Sequence, residues 1–146
     1  MEPLEHQVET AIMAVIARQT YIVANAIPVR HWRNAQNDAR VPKAITVHCS
    51  PRGADGETMQ ERGPLWVAPV EAAAWSWINE DQSATAARGM YKAIMDAVET
   101  TAATTLSAAA SNLTFTGLEV LTGTDAADTG YHRRSVTLNA YVHKTS

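Results

Sequence analysis

Cysteine is almost absent from this 146-residue sequence: Cys49 stands alone, so no intrachain disulfide can form and a reducing compartment is expected. No apolar run reaches the ~18 residues needed to cross a bilayer. The opening Met1-Glu2-Pro3-Leu4-Glu5 lacks the basic and apolar regions of a signal peptide. A soluble chain made in the cytoplasm, without a membrane partner, is the expectation. Positive charge is sparse, with 12 Lys and Arg against 15 Asp and Glu for a formal net charge of −3. Arg30, Arg33, Arg52, Arg62 and the doublet Arg133-Arg134 are scattered between acids and form no footprint for nucleic-acid phosphates.

The motifs of familiar chemistry are missing as well. There is no Gly-x-x-x-x-Gly-Lys or Gly-x-Gly-x-x-Gly loop to cradle phosphate and no Gly-x-Ser-x-Gly elbow to present a nucleophile. His6, His31, His132 and His143 show no i, i+4 pair of the kind that binds zinc on a helix. His48 and Cys49 are neighbours in an expected strand, so they point to opposite faces and cannot easily share a metal; a small buried thiol beside a hydrogen-bonded imidazole is the plainer reading. Asp125 and Asp128 lie near Gly123 and Gly130, but the twelve-residue calcium pattern is absent and a polar turn is expected. Asn112-Leu113-Thr114 matches a glycosylation sequon that lacks a secretory context. Catalytic residues, cofactors and metal ligands are therefore not assigned.

What is present describes a folded domain. Hydrophobic residues make up 46% and charged residues 18%, a globular balance, and the length suits a single domain with its own core. Leu4, Val8, Ile12, Val15 and Ile16 recur on one face of a helix over residues 2–18, with Glu5, Glu9 and Arg18 expected to point elsewhere. A β-branched stretch near Thr20 and the extended Ile27-Pro28-Val29 follow. Residues 44–49 read as a strand ended by Ser50-Pro51-Arg52-Gly53. A second strand starts at Leu65 and resumes after Pro69 towards Trp75 and Trp77, with Pro69 arguing for an edge or a bulge. Asp81 or Ser83 caps a helix over 83–101, whose buried stripe is Ala87, Met90, Tyr91, Ile94, Ala97 and Val98.

Residues 118–121 form a short strand, 122–130 a Gly/Asp/Thr loop, and 131–143 a strand in which Val136, Leu138, Ala140 and Val142 alternate with polar residues. The expected fold is a single α+β domain over residues 1–146 in the order α-β-β-α-β-β: one antiparallel sheet of about four strands with two helices packed on one face. A polar arm is expected at about residues 50–64 and a flexible Ala/Thr-rich segment at about 100–116. Trp66, Trp75 and Trp77 form an aromatic cluster better suited to a core or subunit interface than to stacking on a base. Arg133 and Arg134 fall on opposite faces of the last strand, with Arg134 on the side of Val136 and Leu138.

This layout resembles the tail terminator and related minor tail or neck proteins of tailed bacteriophages. The features that carry it are an acidic amphipathic first helix, Ile27-Pro28-Val29, the strand Ile45 to Cys49, a polar arm, and a helix opened by Asp81 with Met90, Ile94 and Val98. The basic start of the last strand, His132-Arg133-Arg134-Ser135-Val136-Thr137-Leu138, completes it. The resemblance implies a virion protein with no enzymatic role, forming a hexameric homo-oligomeric ring that ends the tail tube and joins it to the head-side connector. Its partners would be the tail tube protein and the head–tail connector protein, with DNA passing the lumen unbound. A modest net negative charge fits such a channel. Arg52, Glu57, Glu61, Arg62, Trp66, Arg133 and Arg134 are the candidate contact residues. The alternatives are a head-completion or stopper protein on the portal side, or a small ligand-binding or enzymatic domain with a pocket of tryptophans and Arg134.

Overall fold

The computed structural model describes residues 4–31, 43–49, 60–62, 65–79, 81, 83–100, 106, 113–128 and 130–144. Helix α1 (Leu4–Ala17) leads through a one-turn helix α2 (Thr20–Ala24) into strands β1 (Val29–His31), β2 (Lys43–Cys49), β3 (Gln60–Arg62) and β4 (Leu65–Trp77). Helix α3 (Thr85–Thr100) and the long strands β5 (Leu113–Asp128) and β6 (Tyr131–Lys144) follow. β2 and β3 lie end to end along one side of β4, so the strands make a sheet five wide, in the order β1, β2 with β3, β4, β6, β5.

The α+β class is as expected, but the sheet is mixed rather than antiparallel, because β1 runs parallel to β2. The extended Ile27-Pro28-Val29 leads straight into this edge strand, where Pro28 O accepts from Ile45 N–H. The β-branched stretch at Thr20 also departs from expectation. It closes as a helical turn because Ile22 and Ile27 are buried and tertiary burial outweighs local preference. Ala26 N–H donates to Val23 O and Ile27 N–H to Ile22 O, with Ala26 at φ 51, the left-handed arrangement of a Schellman C-cap.

Pro69 does not mark an edge. β4 is a central strand, paired with β6 along its whole length. In β2, Ile45 N–H bonds to Pro28 and Cys49 N–H to a side chain of α1, so its odd residues turn their main-chain groups away from β4. The even residues Ala44, Thr46 and His48 then exchange bonds with Trp75, Ala73 and Glu71, and the odd residues of β4 direct theirs towards β2 and β3. Pro69 belongs to that odd set. Its neighbours pair with the last residue of β2 (Val70 with Cys49) and the first of β3 (Val67 with Gln60), so the missing N–H falls between the two strands.

One face of the sheet carries the core. Ile45, Val47 and Cys49 of β2, Ala68, Val70, Ala72 and Ala74 of β4, and Val136, Leu138, Ala140 and Val142 of β6 are buried there. α1 covers β1 and β2 with Val8, Ile12, Val15 and Ile16, while α3 covers β4 and β6 with Met90, Ala93, Ile94 and Ala97. Gly89 lets α2 rest on α3, since a Cβ there would come within 2.4 Å of the Tyr21 ring. The last two strands are longer than the sequence suggested. β5 begins at Leu113, inside the segment expected to be flexible, and continues to Asp128 through the expected loop. Asp128 pairs with Tyr131, and Gly130 at φ 78 supplies the backbone a tight turn requires. Leu106 is buried, so that part of the Ala/Thr-rich segment also contributes to the core.

Asp81 caps α3 from outside its first turn. Its carboxylate accepts from Ala86 N–H at 3.0 Å, Ala87 N–H at 3.1 Å and Ser76 Oγ at 2.7 Å. Burial alone would raise its pKa, but these donors and the neighbouring His132 outweigh it and hold the carboxyl below the ordinary 3.8. A depressed carboxylate pKa contributes stability above the ordinary carboxylate range and loses it as pH falls through the folded-state value. Asp81→Ala is expected to lower stability by about 1 kcal/mol at neutral pH. In urea unfolding curves the gap from wild type should shrink as pH drops below 3.8; a gap that stays constant into acid would refute the ionised cap.

Candidate functional site

Four polar or exposed features are candidates for function. The first lies where α1 meets the sheet edge. Glu9 is only 8% exposed, contrary to its expected outward position, because it lies seven residues before Ile16 and shares its helical face. Its Oε2 accepts from Cys49 N–H at 2.7 Å, and its Oε1 lies 2.6 Å from His31 Nδ1. His48 Nδ1 stands 3.7 Å from Oε2, and the His6 ring stacks on His31 at 4.2 Å. β1 ends opposite Val47, so Cys49 N–H has no strand partner on that side and the Glu9 carboxylate takes its place. The Cys49 thiol is fully buried; burial first, then the charges of Glu9 and Glu5, push its pKa far up, so it is no thiolate nucleophile. Among the described residues no group of three His, Cys, Asp or Glu is placed to hold a metal ion.

The second is the Ser76, Asp81 and His132 group. These are the residue types of a hydrolytic triad, yet Ser76 donates to Asp81 rather than to an imidazole and is only 1% exposed. A nucleophile must reach its base and its substrate, and Ser76 does neither; the group serves the cap of α3.

The third is the sheet face away from the helices. There Arg133 bonds Glu71 and Ser135 Oγ, and its guanidinium lies 5.1 Å from the centre of the Trp75 ring. Trp75 Nε1–H donates to Thr46 Oγ1 at 2.9 Å. Trp75 meets Tyr131 edge-on, and Trp77 lies nearly parallel to Tyr131 at 27°. By reaching from its own row to Glu71, Arg133 crosses the intervening row of Ala73 and Ser135, which are 0% and 3% exposed although no described helix lies above them. Tyr141 and Glu119 form a further hydrogen bond on this face. The fourth is the outer edge of β5, where Val120 and Leu121 stand 37% and 46% exposed.

No protein-family model matches this sequence, and no curated protein is similar to it.

The contact residues expected from sequence separate into three places. Arg52 and Glu57 lie outside the described residues. Glu61 and Arg62 are on β3, paired with Trp66 and Leu65 at the far end of β4. Trp66 is nine residues from Trp75, about 30 Å along an extended strand, so the three tryptophans are not one cluster. Arg133 and Arg134 do occupy opposite faces: Arg134 sits over the Tyr91 ring of α3 at 5.5 Å, Arg133 over Trp75. The pocket of tryptophans and Arg134 is thereby corrected, since the sheet stands between Arg134 and Trp75. Glu71 and Tyr131 were missed; only the β4–β6 register reveals them beside Arg133.

Removing the Glu9 side chain leaves the buried Cys49 N–H without an acceptor, a loss of about 1–3 kcal/mol. Glu9→Ala should therefore lower the urea midpoint clearly more than Glu9→Gln, whose amide oxygen can still accept. Equal effects would show that this hydrogen bond contributes little. On the open face, a thermodynamic cycle of Arg133→Ala and Trp75→Leu should give a coupling of about 0.5–1 kcal/mol. Strict additivity would mean that the stacking is energetically idle.

Proposed function

We propose that this chain is a structural subunit that assembles with copies of itself into a ring, of the kind that ends the tail tube of a bacteriophage and meets the head-side connector. The observation that carries the assembly reading is the sheet face opposite the helices. It presents Trp75, Trp77, Tyr131 and Arg133 half-exposed, and its polar groups already bond one another rather than converging on a cleft. Aromatic residues and Arg are the types enriched where proteins meet, and such a face is well suited to burial against a neighbour. A catalytic reading finds less support. The buried polar groups terminate a strand and a helix, and the thiol is inert.

The assignment to a phage tail end rests on the resemblance in element order, to which the mixed sheet and the additional helix α2 are departures. In that reading the ring is hexameric, belongs to the virion and surrounds DNA without binding its sequence. Light scattering or native mass spectrometry across a concentration series, with and without the candidate tube protein, tests it. A mass of about six subunits, or a ring that forms on tube ends, is expected from the closed symmetry of such assemblies. A chain that stays monomeric at every concentration and ignores the tube protein would overturn it.

A further inference from the structure

Among the described residues the strand order ends in β1 and β5, with the three-residue β3 a further strand paired only on its β4 side; β1 and β5 differ in length, charge and apolar content. β5 has 16 residues and pairs with β6 on one side only. Its charged residues are Glu119, Asp125 and Asp128, with no Lys or Arg among them. Register shifts between Phe115 and Gly117 and between Val120 and Thr122 interrupt its ladder, and the second coincides with the exposed Val120 and Leu121. Bulges and charge discourage indiscriminate strand pairing. Two adjacent exposed apolar side chains work against solubility and have an evident use only when something covers them.

The opposite edge has the opposite sign. β1 and the adjoining β2 carry Arg30, His31, Lys43 and His48; the Glu9 carboxylate of α1 is already bonded to His31 and stands beside His48, so Arg30 and Lys43 are the residues that give this edge its basic sign. Two β5 edges brought together would set acid against acid, whereas β5 against β1 sets acid against base. A contact between two different surfaces of the same chain is head-to-tail, and head-to-tail contacts close into rings when the rotation allows. We propose that the β5 edge, with Val120 and Leu121 at its bulge, docks on the β1 edge of a second copy of this chain. The assignment rests on the ring reading above and names the two edges that would join neighbouring copies, a contact separate from the open sheet face. Because β1 is only three residues long, main-chain pairing is short, and burial of the apolar bulge together with charge fit supplies most of the contact.

Concentration-dependent native mass of the full chain, with thermal unfolding as a control, tests the assignment. Leu121→Lys alters an exposed position and should leave the unfolding midpoint of the subunit unchanged. It should raise the concentration needed for assembly roughly tenfold, about 1.4 kcal/mol per contact. Glu119→Lys and Arg30→Glu should each weaken assembly, and one chain carrying both should regain it, because the two signs are exchanged across the same contact. Lys43→Glu takes the place of Arg30→Glu if the latter unfolds. A ring that forms normally with Leu121→Lys and Glu119→Lys overturns the docking and leaves the ring reading standing. Recovery that fails in the doubly exchanged chain, with both single variants folded, overturns the pairing of these two edges. A wild-type chain that never assembles overturns both.

Discussion

Thirteen consecutive residue pairs join β4 to β6 without a shift, from Leu65 with His143 to Trp77 with Tyr131. Side chains alternate across a strand, so a one-residue slip in this ladder would turn one strand over relative to the other. A slip of β4 would take Val70 and Ala72 from the helices and press Glu71 and Trp75 beneath them; a slip of β6 would take Val136 and Leu138 and press Arg133 there. Either would bury one charge without its partner, at a cost of several kcal/mol, so the apolar pattern of β6 and the satisfied network on the open face select the same register. The alanines of β4 on the core side suit the arrangement, because small residues let α3 approach the sheet closely. The same ladder makes Pro69 acceptable: β6 holds the strand on one side, and the imino nitrogen faces the break between β2 and β3 on the other.

The interior polar groups share a common use. Glu9 supplies the acceptor that β1 is too short to provide for Cys49, and Asp81 supplies acceptors for the first N–H groups of α3. In each case a carboxylate completes the hydrogen bonding of an element that stops early, which is why each tolerates its surroundings. Polar side chains committed to backbone groups are not available to a substrate. Among the described residues, Glu9, Ser76 and Asp81 are in this way committed to the architecture. The open sheet face differs, because Arg133, Glu71, Trp75 and Thr46 bond one another at a half-exposed surface and need no reorganisation to meet a partner.

The elements with one uninterrupted period were legible in the sequence. α1 and α3 appear with nearly the expected limits, and the alternation of Val136, Leu138, Ala140 and Val142 identifies β6 and its core face. Where the code is nonlocal, reading failed. Gly123 and Asp125 lie in a stretch that reads as a loop, yet they belong to β5 because β6 offers a full-length partner and two bulges absorb the irregularities. The β-branched stretch from Thr20 reads as the end of a helix, yet it forms a helical turn because Ile22 and Ile27 are buried. Glu9 was legible in principle: a residue one heptad before Ile16 must share its face, and weighing charge above angle hid it. The grouping of Glu71, Trp75, Tyr131 and Arg133 was not legible, since it joins residues about sixty apart through a register that no local pattern contains.

Among the described residues two long features of the sheet are left uncovered, its open face and the β5 edge, and they place different demands on the molecule. On the face the Arg133–Glu71 pair is made and the Trp75 N–H is bonded, so water or a neighbour can cover these groups with little change in hydrogen bonding. An edge is chemically open, because each outward N–H and C=O must find water or another strand. β5 meets this with acids, glycines and two bulges, all of which favour the solvated state, but it also places Val120 and Leu121 at the point of greatest irregularity. Solubility alone gives no reason for those two residues, and core packing gives none either, because both are exposed. The edge resists pairing along most of its length while keeping one apolar spot. That combination favours a contact which is short and selective over one that zips along the whole strand, and whether such a contact closes a ring depends on the rotation it sets between copies.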